Sequence, residues 1–230
     1  PQIFFKNSLS FSDRNLFGFK KDGEWKHVSW HETSDLILNL VSGLNEIGVK
    51  KNDKISIIAD NSYKWCVIDL AIISLGAITV PGYTTSNEEE ISYLLSHSKT
   101  SIIFINSKLL SLIEKILPTL NNIKYVICVD EIKKSKKFKF KQNFYTYNDL
   151  IRLGLKIKNK QKLVQESIQK IKKNDVACII YTSGTSSQPK GVMLTHGSII
   201  SNIIGANELV KEIKVKNHKF FSIIPLSHAY

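Results

Sequence analysis

KISIIADNSYKWCVIDLAIISLGAITVPG, residues 54–82, decides how the rest of the chain is read. Ile55 to Ala59 is a short apolar run of the kind that forms a buried strand. Tyr63 to Leu75 follows as a helix stopped by Gly76, and Ile78 to Val80 is a second strand closed by Pro81-Gly82. A strand, a helix and a strand joined by short connections make a crossover unit, which lays two parallel strands side by side.

The same alternation continues on both sides. Upstream, Ser29 and Glu32 have the spacing of a capping box. Leu36, Ile37, Leu40, Val41, Leu44 and Ile47 then recur at helical spacing, and Gly48 suits the left-handed C-terminal position. Downstream, Ser86 and Glu89 repeat the capping spacing before a helix carrying Ile91, Leu94 and Leu95. Strand Ile102 to Ile105, helix Lys108 to Leu117 and strand Tyr125 to Val129 come next. The pattern predicts an α/β protein with a mostly parallel sheet flanked by helices.

Residues 131–147 change character, with Lys133, Lys134, Lys136, Lys137, Lys139 and Lys141 around Phe138 and Phe140, and read as a solvated connection. Lys156 to Lys173 is lysine-rich too and includes a helix through Leu163, Ile168 and Ile171. A fresh strand begins after Asn174. Two units are therefore expected, 1–174 and 175–230, the second opening a second sheet.

Composition removes whole classes of function. With 230 residues, 43% hydrophobic and 23% charged, the chain is neither disordered, collagen-like nor a disulfide-knotted module. Its formal charge of +12 comes from 32 basic residues, of which only Arg14 and Arg152 are arginine. Recognition of bases and phosphates in nucleic acid favours the arginine fork, so the expected partners include no nucleic acid. Solvated lysines do leave peripheral contact with an anionic membrane surface open. Cys66, Cys128 and Cys178 stand far apart in apolar runs, matching no zinc motif or redox pair, which fits buried thiols in a reducing cytoplasm. The longest apolar stretch, Cys66 to Tyr83, is interrupted by Asp69, Gly76, Pro81 and Gly82 and is too short for a membrane span.

The chemistry is concentrated after strand Val176 to Tyr181. Thr182, Ser183, Gly184, Thr185, Ser186, Ser187, Gln188, Pro189, Lys190 and Gly191 bring five hydroxyls, two glycines and a lysine together before a second strand through Val192 and Leu194. Hydroxyls and free backbone N–H groups can wrap phosphate oxygens, and a lysine adds a mobile point charge. The mononucleotide P-loop is excluded. Pro189 lacks the N–H of that motif's second glycine, no hydroxyl follows Lys190, and a strand rather than a helix comes next.

Tyr181 to Val192 resembles the signature loop of the AMP-forming, adenylate-forming synthetases, with Ser186-Ser187 where most members have a threonine-glycine pair. Asn61 to Trp65, Asp69-Leu70-Ala71, Gly76-Ala77, Val80-Pro81-Gly82-Tyr83 and Ser86 to Ser98 resemble the N-terminal part of acyl-CoA synthetases. Pro225 to Tyr230 resembles a segment of long-chain fatty-acid members that borders the acyl and nucleotide pocket.

The resemblance implies an enzyme, an AMP-forming acid–thiol ligase. Fatty acid and ATP would give acyl-AMP and pyrophosphate, and coenzyme A would then displace AMP. Thr182 to Gly191 would hold the ATP phosphates and His228 would help place the carboxylate or adenylate. Mg²⁺ would ride on ATP, since the sequence shows no metal site of its own. The family's ribose-binding aspartate, hinge and C-terminal catalytic lysine are not in the sequence. The chain therefore reads as the N-terminal fragment of a larger cytoplasmic synthetase, inactive alone, whose partner is the C-terminal part of the same synthetase. Other carboxylate-activating ligases (aryl, short-chain or amino acid) and a non-catalytic nucleotide-binding module are the alternatives.

Overall fold

The computed structural model describes residues 1–132, 138, 140–182, 188–211 and 219–228. The chain opens with α1 (Gln2–Ser10), β1 (Asn15–Lys21), β2 (Glu24–Ser29) and α2 (Trp30–Glu46). It continues through β3 (Lys54–Ile58), α3 (Tyr63–Ser74), β4 (Ile78–Pro81), α4 (Glu88–His97), β5 (Ile102–Ile105), α5 (Leu110–Ile116) and β6 (Tyr125–Cys128). After β7 (Asn143–Thr146) come α6 (Tyr147–Leu155), α7 (Lys160–Gln169), β8 (Val176–Thr182), β9 (Lys190–Thr195) and α8 (His196–Lys211).

Seven strands form one sheet in the order β7-β6-β5-β3-β4-β8-β9, and every neighbouring pair is parallel except β8–β9. Strand side chains alternate between two cores. Ile55, Ile57, Phe104 and Ile127 face α2, α3, α6 and α7, where Leu40, Leu44, Val67, Ile68, Leu150 and Val164 are buried. Ile58, Ile103, Ile105 and Val126 face α4 and α5 through Ile91, Leu95, Leu110 and Ile113. Burial on both faces explains why these strands read as unbroken apolar runs.

The capping box of Ser29 and Glu32 forms, with Glu32 N donating to Ser29 Oγ at 3.1 Å and Ser29 N to Glu32 Oε2 at 2.7 Å. Gly48 and Gly76 take φ of 87° and 69°, the left-handed turn that ends α2 and α3. At α4 the expected Ser86–Glu89 pair does not cap. Asn87 and Glu90 do so one residue later, with both bonds at 3.0 Å. Asparagine caps as well as serine, and the Ser86 N–H instead closes a turn on the Tyr83 carbonyl at 3.3 Å.

Other departures are larger. β8 pairs in parallel with β4, Thr79 opposite Cys178, so the main sheet runs across the boundary expected at 174, and β9 extends it further. The second sheet is the β1–β2 hairpin, turned by Asp22 and Gly23 with φ of 54° and 85°. The connection at 131–147 is not merely solvated. Lys133, Lys134, Lys136, Lys137 and Lys139 lie outside the described residues, but Phe138, Phe140 and Phe144 stack in series at 5.7 and 5.1 Å and pack on the α4–α5 core.

Candidate functional site

α3, which follows β3, covers one face of the sheet, and α4, which follows β4, covers the other. The chain segments leaving β3 and β4 therefore part at their carboxyl ends. In open α/β sheets ligands bind in the crevice outside the carboxyl ends of the strands. A cleft of about 350 Å³ opens there, lined by Asp60 and Asn61 after β3, Tyr83 and Thr84 after β4, and Ser222 and Ser227 from the last described segment.

Polar side chains shape the cleft. The Asp60 carboxylate accepts from Lys108 Nζ at 2.8 and 2.7 Å and from Thr84 Oγ1 at 2.8 Å, while its backbone N–H donates to Asn106 Oδ1 at 2.7 Å. Asn61 works as a two-sided clip. Its Nδ2 donates to the Ile224 carbonyl at 2.8 Å and its Oδ1 accepts from Leu226 N at 2.8 Å, imitating the pairing of a neighbouring strand. That clip brings 222–227 to the cleft and leaves the His228 ring edge-on to Tyr83, centroids 6.5 Å apart. No local pattern in the sequence marks Asn61, Thr84 or Lys108 for these roles, because their partners lie elsewhere along the chain.

Thr182 and Lys190, the two described residues that flank the hydroxyl-rich stretch, lie at the end of the β8–β9 hairpin. β8 is parallel to β4 and next to it, so Thr182 leaves the sheet at the same carboxyl edge as Tyr83. Thr182 pairs with Lys190 across the base of the β8–β9 hairpin, and Tyr181 with Gly191. Ser183, Gly184, Thr185, Ser186 and Ser187 lie outside the described residues, while Gln188 and Pro189 are exposed at the entry to β9. The exposed Lys190 ammonium has no carboxylate partner among the described residues.

Burial pushes the Tyr181 phenol up to about 12, with the nearby Tyr93 phenol adding to the shift. Among the described residues there is no group of three or more His, Cys, Asp or Glu that could hold a metal ion, and no helix long and apolar enough to cross a membrane.

A family model described as AMP-binding enzyme matches residues 4–230. The chain belongs to that family. It is 29% identical over 230 residues to fatty acyl-CoA synthetase A of Dictyostelium discoideum, an alignment covering 95% of this chain and 33% of that protein. It is 30% identical over 217 residues to long chain acyl-CoA synthetase 4 of Arabidopsis thaliana, covering 91% of this chain and 32% of the relative. The chain thus spans about a third of the length of the curated relatives it matches. The crystal structure of coronafacic acid ligase from Pectobacterium brasiliense superposes with a TM-score of 0.69 at 19% identity, covering 95% of this chain and 38% of that one, a likeness of fold.

Proposed function

We propose that the chain is the N-terminal part of an ATP-dependent long-chain fatty-acid–CoA ligase and that residues 182–191 grip the nucleotide phosphates. The observation that supports the reading is that Thr182, paired with Lys190, leaves β8 at the same carboxyl edge of the sheet as Tyr83, a cleft residue, leaves β4. Residues 1–174 then supply the cleft walls after β3 and β4, and 175–230 add the phosphate grip and the wall segment that carries His228.

The chemical obstacle is charge. A carboxylate must approach the α-phosphorus of a polyanion, and pyrophosphate must leave with more charge than it had in ATP. Preorganised cations and hydroxyl donors lower that barrier because they need not reorient as charge develops. Lys190 would neutralise the departing pyrophosphate, and the hydroxyls of the loop would hold the β- and γ-phosphate oxygens. His228, beside Tyr83, would orient the carboxylate or the adenylate. Mg²⁺ would be carried by the ATP phosphates, since the residues around Lys190 offer hydroxyls rather than carboxylates. Coenzyme A would take the acyl group in the second step, and the remaining length of the ligase would complete the reaction centre.

Single-turnover adenylation in the full-length ligase tests this. Lys190→Ala is expected to slow acyl-AMP formation by two to three orders of magnitude, about 3–4 kcal/mol of lost charge stabilisation, while fatty-acid binding changes little. Lys190→Arg is expected to recover only part, because a planar fork does not replace a compact ammonium. A parental rate in Lys190→Ala would refute the phosphate grip.

A further inference from the structure

α4 buries Ile91 and Leu95 in the sheet core and turns a different pair of side chains toward the β8–β9 hairpin. Tyr93 and His97 are one helical turn apart, and their rings stack with centroids at 5.1 Å. The Tyr93 hydroxyl donates to the Pro189 carbonyl at 3.0 Å, and His97 Nδ1 lies 2.7 Å from the Tyr181 hydroxyl. The Tyr181 ring meets both rings edge-on, at 6.2 Å from Tyr93 and 5.7 Å from His97. Tyr181 precedes the hydroxyl-rich stretch and Pro189 follows it. One turn of one helix therefore holds the backbone on both sides of that stretch.

Gly191 makes this reach possible. The Tyr181 ring lies across it, and a Cβ at 191 would come within 3.0 Å of Ile179 Cγ2, 3.2 Å of the ring and 3.4 Å of the phenol oxygen. A side chain there would have to push Tyr181 aside, away from His97. Burial pushes the Tyr181 phenol up to about 12, so it is the neutral hydroxyl that meets the imidazole. Such long-range polar bonds between exposed or half-exposed groups add little to global stability. Their leverage lies in geometry, since a phosphate grip misplaced by about 1 Å loses much of its effect.

We propose that Tyr93 and His97 are positioning residues that hold the two ends of the phosphate loop, Tyr181 and Pro189, so that Thr182 and Lys190 face the triphosphate already aligned. This rests on the reading of 182–191 as a phosphate loop. The full-length ligase serves for the test, with two independent readouts: Mg·ATP affinity by calorimetry, and backbone hydrogen exchange in peptides covering 176–182 and 188–195. Tyr93→Phe and His97→Ala are each expected to weaken Mg·ATP binding about five- to tenfold and to speed exchange in both peptides, while far-UV circular dichroism stays unchanged. His97→Asn, whose amide can sit where Nδ1 does, is expected to recover most of the loss. Tyr181→Phe combined with His97→Ala is expected to be no worse than either alone, since both break one bond.

Lys190→Ala separates the two ideas. If it weakens Mg·ATP binding while Tyr93→Phe and His97→Ala leave affinity at the parental value, the positioning role is overturned and the phosphate grip stands. Unchanged hydrogen exchange in both clamp variants overturns positioning whatever the affinities. Parental Mg·ATP binding in Lys190→Ala overturns the phosphate loop and the positioning role with it.

Discussion

α2 and α6 touch backbone to backbone, and two glycines permit it. A Cβ at Gly43 of α2 would run into the Leu150 carbonyl of α6, and a Cβ at Gly154 of α6 would run into the Asn39 carbonyl of α2. Asn39 and Gly43 are one turn apart, as are Leu150 and Gly154, so the contact is reciprocal. Two effects compete in a Gly→Ala change here. Helix propensity favours alanine by about 1 kcal/mol in an exposed helix interior. Against it, a carbonyl fixed in a helix ladder cannot swing away, so the helices must separate by more than about 1 Å. That loosens Leu150, which is fully buried, and Tyr147, which is 3% exposed. Overpacking of this kind typically costs 1–3 kcal/mol, and here the obstruction is backbone, so a net loss of about 2–3 kcal/mol is expected for each of Gly43→Ala and Gly154→Ala. Gly205→Ala in α8 is the internal control, since a Cβ there meets nothing within 4 Å and the propensity term should appear alone, as a gain of about 0.5–1 kcal/mol. Urea unfolding followed by circular dichroism gives all three values. Parental or raised stability in Gly43→Ala or Gly154→Ala would refute the close crossing.

Acid stability, thiol reactivity and the Asn61 clip supply further checks. Burial alone would raise the Asp130 and Asp149 carboxyls, but hydrogen bonds from the Ser107 backbone and hydroxyl, and from the Thr146 hydroxyl and backbone, outweigh it and hold both below the usual aspartate value. Their stabilisation is thus complete above about pH 4 and is lost as pH falls through the lower folded-state value; Ser107→Ala and Thr146→Val should each flatten the acid limb of a stability–pH curve, and an unchanged limb would refute the assignment. Cys128 is fully buried and burial pushes its thiol up to about 12, so at pH 8 a disulfide reagent should label it at the rate of unfolding, and rapid labelling of Cys128 in the native chain would contradict this. Asn61→Ala should open 222–228 to limited proteolysis without lowering the urea midpoint by more than about 1 kcal/mol of stability, whereas an unchanged digestion pattern would show that the clip is dispensable.

The strands and helices between 54 and 128 are legible because burial on both faces writes each strand as a continuous apolar run and each helix between turn signals. The β1–β2 hairpin escapes that reading. Its Asp22-Gly23 turn is a strong local signal, but its strands are mostly exposed and carry little apolar alternation. β7 is hidden because three phenylalanines that anchor it are spread among lysines, although Thr146 and Asp149 do mark the capping box of α6 that follows. At the proposed site, the hydroxyl run and Lys190 stand out in the sequence because they are contiguous. Asn61, Tyr93 and His97 do not, since their partners lie 84 to 165 residues away and no local pattern encodes such a distance.

The strand order also bears on how the chain can assemble as it leaves the ribosome. β3 emerges before any other strand of the main sheet, and β4 then docks on one side and β5 on the other. β6 and β7 extend the β5 side, after which β8 and β9 extend the β4 side. Each new strand meets a free edge already in place, and none has to be inserted between two finished neighbours. Vectorial synthesis can therefore build this sheet outward from its centre, with the β8–β9 hairpin added only after the platform beneath it exists.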